Sequence, residues 1–93
     1  MQLSDYRQQI DDIDAEILSL FVRRMECAAA IGLYKKEHAL PLTDKARERD
    51  IIDAVRGRLP AELKDYGASL FSLLTELSKA HQRRTAGECG IMK

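Results

Sequence analysis

Apolar residues recur along the first third of the chain at steps of three and four. The series runs Leu3, Tyr6, Ile10, Ile13, Ile17, Leu20 and, after one interruption, Cys27, Ile31 and Tyr34. Such steps return side chains to one face of an α-helix, so the pattern predicts a single amphipathic helix from about Ser4 to about Lys36. The interruption is Arg24, which falls on the seam itself. A guanidinium keeps its proton, and burying it unpaired costs several kcal/mol, on the order expected for an interior charge. No acidic residue lies on the same seam, so the partner is sought outside the chain.

Two further helices follow, and nothing reads as a strand. Ser4 is the expected N-cap of the first helix, with Asp5 in its first turn. Pro41 helps to end the connection from Glu37 to Leu42. Thr43 or Asp44 caps a second helix to about Leu59, Pro60 breaks the chain, and a third helix runs from Ala61 or Leu63 to Arg84. Gly67 is a weak point that delays or bends this last helix. Residues 85–93 have no clear helical period and read as a flexible tail, leaving 1–84 as the domain. The fold class is all-α.

Length turns this pattern into an expectation about assembly. A helix of about 33 residues is ~50 Å long, whereas a compact chain of this size has a radius of gyration of ~12–13 Å. Two shorter helices cannot cover so long a stripe. Either the first helix breaks or a second chain covers the remainder, and an intertwined homodimer with antiparallel long helices is the expected solution.

Composition narrows the function classes. Fifteen basic and fifteen acidic residues cancel, which argues against a nucleic-acid or membrane surface built from bulk charge. Cys27 and Cys89 fit neither a disulfide framework nor metal-ligand spacing and read as free thiols of a reducing cytoplasm. No segment approaches the ~20 apolar residues of a membrane span. The expectation is a soluble, cytoplasmic protein without cofactor or metal.

The anomaly at Arg24 recurs on every helix. On the first, Arg24, Ala28, Ile31 and Lys35 share a face. On the second, Glu48 opens the face continued by Ile51, Ile52, Val55 and Leu59, with Arg47 beside it. On the third, Phe71 and Leu74 give way to Ser78 and Gln82 without a change of direction. Each has an ordinary reading: a seam arginine paired with a bundle carboxylate, a first-turn acid favoured by the helix dipole, a lysine near a helix C-terminus, a solvated helix end. Their joint occurrence points instead to a bundle that surrounds something polar. Arg7 lies 17 residues before Arg24, hence ~25 Å away on the same rod; in an antiparallel dimer it reaches the partner's pocket. Arginine forks suit carboxylates, so the set fits a small organic dianion. It contains no nucleophile with an adjacent base and no glycine-rich phosphate loop.

Five segments in order carry a resemblance: Arg7 within Tyr6–Asp14, Arg23-Arg24-Met25, Ile31-Gly32-Leu33-Tyr34-Lys35, Asp44-Lys45-Ala46-Arg47-Glu48-Arg49, and Ser78-Lys79-Ala80-His81-Gln82. Together they resemble the all-helical (AroQ) class of chorismate mutase over about residues 3–84. The resemblance implies an intertwined three-helix dimer that rearranges chorismate to prephenate on the way to phenylalanine and tyrosine. It implies that Arg24 and the partner's Arg7 grip the substrate carboxylates with help from Ser78, and that Lys35 and Gln82 donate to the ether oxygen. Glu48 then holds the ring hydroxyl, while Asp44 and Arg47 shape the start of the second helix. The connection at Pro60 is short for the family. No fused dehydratase, dehydrogenase or synthase segment is apparent, so the expectation is a stand-alone enzyme. Two alternatives stay open: an isochorismate-pyruvate lyase on the same scaffold, disfavoured by Glu48, and a non-catalytic module that senses such metabolites.

Overall fold

The computed structural model describes residues 1–90. Helix α1 spans Leu3–Glu37, α2 spans Lys45–Gly57, a single 3₁₀ turn covers Ala61–Leu63, and α3 spans Lys64–Gly90. Among the described residues there is no strand, and the architecture is all-α as the periodicity predicts. Helix α3 continues past Arg84, where the apolar period fades, as far as Gly90. The rest of the expected tail, 91–93, and the side chain of Cys89 lie outside the described residues.

Local chemistry accounts for the helix ends. The first cap is Gln2 rather than Ser4: the Asp5 carboxylate reaches back three residues and accepts the Gln2 N–H at 2.8 Å. This places Ser4 inside the first turn. At the other end of α1, Leu40 N–H donates to Lys35 O at 2.8 Å and Ala39 N–H to Lys36 O at 3.3 Å. Ala39 takes φ 55° to allow this. The arrangement is a Schellman cap, normally built on glycine; an alanine in the left-handed region costs ~1 kcal/mol. Helix α2 is capped by Asp44, whose carboxylate accepts the Arg47 N–H at 3.0 Å.

Gly67 does not delay α3, which already starts at Lys64. A Cβ there would collide with the Leu59 side chain and come within 3.1 Å of Val55 Cγ1. The missing side chain is thus a notch that receives the end of α2 and its connection, which offsets the lower helix propensity of glycine.

Helix α3 packs against both other helices. Its contacts with α1 advance in step, Arg24 with Ser78 and Lys36 with Ala86, so these two helices run parallel. Those with α2 advance in opposite senses, Glu48 with Lys79 and Arg56 with Asp65, so α2 is the antiparallel return. Gly32 makes the parallel pair close: a Cβ on it would stand 2.6 Å from the Gln82 carbonyl oxygen and 2.9 Å from its Cα.

The chain is 55 Å long in its greatest dimension, with a radius of gyration of 16.7 Å, well above the ~12–13 Å of a compact chain of this length. Helix α1 does not break. Consequently its N-terminal seam has nothing over it: Leu3, Tyr6, Ile10, Ile13, Ile17 and Leu20 are each 50–63% exposed. Buried positions are Ala28, Gly32, Ala68 and Ser78, all where α3 meets its neighbours.

Candidate active site

The C-terminal half of α1, the first turns of α2 and the C-terminal half of α3 enclose a cavity of about 290 Å³. Arg24, Lys35, Asp44, Arg47, Glu48, Ser78 and Gln82 all line it. Seven of the eight residues singled out in the sequence are therefore brought together by one chain. Arg7 is not among them; it is exposed near the far end of α1, ~25 Å along the rod from Arg24.

Arg24 enters from α1 and donates through Nη1 to Ser78 Oγ and, at 3.3 Å, to the Leu74 carbonyl oxygen. Both acceptors are neutral. The seam arginine is thus oriented without being neutralised, and burial of Ser78, 8% exposed, fixes the orienting hydroxyl. Among the described residues no carboxylate lies within 4.0 Å of Arg24, Lys35 or Arg47. Four cations of the lining, Arg24, Lys35, Arg47 and Lys79, face two carboxylates, Asp44 and Glu48. The excess of two positive charges is what a dianion would balance.

At the opposite end, Lys35 Nζ donates to Leu42 O at 2.9 Å and to Gln82 Oε1 at 3.1 Å. An ammonium has no lone pair, so the amide oxygen of Gln82 must face it. That orientation turns Nε2 of Gln82 away as a donor, and Lys35 keeps a third N–H. One ammonium and one amide can therefore aim at a single neutral oxygen in the cavity. The close approach at Gly32 sets their separation, because it places the Gln82 backbone one turn of α1 from Lys35.

Asp44 is occupied as the N-cap of α2 and acts on the cavity through the helix start. Glu48, one residue beyond Arg47 in the first turn, has Oε2 3.4 Å from Lys79 Nζ. Lys79 also meets Glu76 Oε1 at 3.3 Å. The hydrogen bond to Glu76, with that to Glu48 and both carboxylate charges, holds the Lys79 ammonium above its ordinary pKa against some desolvation.

The sequence reading left Lys79, Thr75, Cys27, Leu42 and Ile51 without a place in the site, and all five line the cavity. Lys79 and Thr75 carried a signal. Thr75 sits three before Ser78 and Lys79 three before Gln82, so widening that stripe by one residue would have included them. The Thr75 hydroxyl is buried without a hydrogen-bond partner. Among the described residues no cluster of three metal-ligating side chains occurs, and no helix is long and apolar enough to cross a membrane.

Comparison with known proteins places these residues in a family context. The chain is 32% identical over 85 residues to a chorismate mutase of Methanocaldococcus jannaschii, covering 89% of this chain and 86% of that one. It is 38% identical over 68 residues to the T-protein of Haemophilus influenzae and 39% identical over 54 residues to a bifunctional chorismate mutase/prephenate dehydratase of Aquifex aeolicus. It spans only 18% and 15% of the length of those two proteins. No solved structure matches with comparable significance. The profile of the chorismate mutase type II family matches residues 6–83, which takes in every side chain of the cavity, and the chain belongs to that family.

Proposed function

We infer that this chain is a chorismate mutase of aromatic amino-acid biosynthesis, converting chorismate to prephenate. The observation that carries this reading is the cavity itself: an excess of two positive charges at one end of which an ammonium and an amide converge. Chorismate is a dicarboxylate whose ether C–O bond breaks as a new C–C bond forms, with no proton transfer and no covalent intermediate. Arg24, oriented by Ser78, grips one carboxylate. Lys35 and Gln82 donate to the ether oxygen, where negative charge grows as the C–O bond lengthens. Donors fixed before the reaction favour that charge distribution over the ground state. Glu48 accepts from the ring hydroxyl, and Arg47 adds its charge at the start of α2.

The second carboxylate is assigned to Arg7 of a second copy. The uncovered apolar half of α1 supports a homodimer in which two α1 helices lie antiparallel, bringing the N-terminal end of each rod to the other's Lys35 end. The domain is 1–84 and the compartment the cytoplasm, in keeping with a soluble substrate.

The test is a spectrophotometric assay of chorismate loss with prephenate identified as product. Arg24→Ala is expected to lower kcat/KM by ~10³-fold, the scale for removing an oriented charged donor. Mixing Arg24→Ala with Arg7→Ala then probes the shared site. A mixed dimer holds one intact site, so two inactive proteins regain up to about a quarter of wild-type activity if Arg7 acts across the two-fold axis. Binding of chorismate without conversion would transfer the reading to a metabolite-sensing module.

A further inference from the structure

Glu48 stands among many charges. From α1, Arg24, Cys27 and Lys35 share its cavity; from α2 and its cap come Asp44, Lys45, Arg47, Arg49 and Asp53; from α3 come Lys79 and Glu76. Of the cations, only Lys79 lies within 4.0 Å of its carboxylate among the described residues. The lysine side chain is 18% exposed and the Glu48 side chain 29%, so the pair keeps some contact with water. It is also anchored twice. Glu76, one turn earlier on α3 and 65% exposed, holds the same ammonium from the solvent side.

Only Oε2 of Glu48 is engaged by Lys79. A carboxylate tied at one oxygen presents the other in a defined direction, and an ionised carboxylate is the better acceptor for a hydroxyl. We propose that Lys79 is a positioning residue for the reaction: through Oε2 it keeps Glu48 rotated so that Oε1 meets the substrate's ring hydroxyl. The series Glu76, Lys79, Glu48 thus carries order from the surface of α3 to the substrate-facing edge of α2. Ion pairs with this much solvent contact contribute little to stability, so the effect is expected in the reaction rather than in melting. The proposal rests on Glu48 acting as hydroxyl acceptor in the mutase.

The test is kcat and KM, measured separately, for wild type, Lys79→Met, Lys79→Gln and Lys79→Arg. At neutral pH a ~10-fold loss is expected, mainly as a higher KM, with Lys79→Arg close to wild type. Lys79→Gln keeps a donor without charge and reads the same rise in KM if methionine there unfolds the chain. Combined with Glu48→Gln, loss of Lys79 should cost almost nothing further. An unchanged KM in the Met and Gln variants, or losses that multiply in the double variant, would overturn the proposal. A wild type that leaves chorismate unchanged would instead overturn the assignment of activity.

Discussion

The two halves of α1 obey one period yet meet opposite surroundings. From Leu3 to Leu20 the seam is apolar, with no residue of it less than 50% exposed. From Arg24 to Lys35 the same seam is interrupted by charge, and there Ala28 is 3% exposed and Gly32 is buried against Gln82. A continuous helix therefore displays grease where it is bare and charge where it is packed. The contrast shows that periodicity identifies a face but not its occupant. The first half asks for another chain; the second is closed by its own chain around a polar space.

Substitutions on either half sharpen this contrast. Ile13→Asp puts a charge in the middle of the uncovered stripe, far from the cavity. It is expected to abolish assembly by sedimentation equilibrium and to remove activity altogether, because a charge without a partner in an apolar interface costs several kcal/mol. A fully active, monomeric Ile13→Asp would break the comparison. Gln82→Glu acts on the closed half. Its carboxylate would lie beside Lys35 and repel negative charge on the ether oxygen, so it donates only when protonated. Activity should fall by ~10³-fold at pH 8 and recover as the pH is lowered; full activity at pH 8 would refute the role given to Gln82.

Gly32→Ala tests the closeness of α1 and α3. The added methyl lies 2.6 Å from a backbone oxygen, so the helices must part, at a cost of ~1–3 kcal/mol. A melt should register that loss, and kcat should drop ~10-fold as Gln82 withdraws from Lys35. Smallest is Ala39→Gly, which relieves the left-handed alanine at the end of α1. A gain of up to ~1 kcal/mol in denaturant unfolding is expected, with kinetics unchanged.

Most of this molecule was legible because helices announce themselves by period. The bounds of α1 and α2 fall within about two residues of those expected, and the five polar residues read as anomalies on apolar faces, Arg24, Lys35, Glu48, Ser78 and Gln82, line one cavity. What was missed has physical reasons. Glycine weakens an isolated helix whatever its neighbours, so Gly67 read as a breaker until Leu59 was seen in its notch. Lys79 lies one position off the line through Leu74, Ser78 and Gln82, and a lysine beside a stripe looks like solvated surface. The run from Thr85 to Gly90 lost its apolar period and with it the signal for helix. Arg7 could be assigned only by imagining a second chain, which sequence period and chain length suggest but do not draw.

The cap at Ala39 has a consequence for how this chain can vary. Lys35 is held at both ends by the connection that follows it: its carbonyl by Leu40 N–H, its ammonium by the Leu42 carbonyl. Surface connections ordinarily absorb insertions and deletions with little penalty. Here the stretch from His38 to Leu42 works as a ruler that measures out the reach of a lysine, so a change of one residue in its length would be felt at the reacting oxygen before it was felt in the fold.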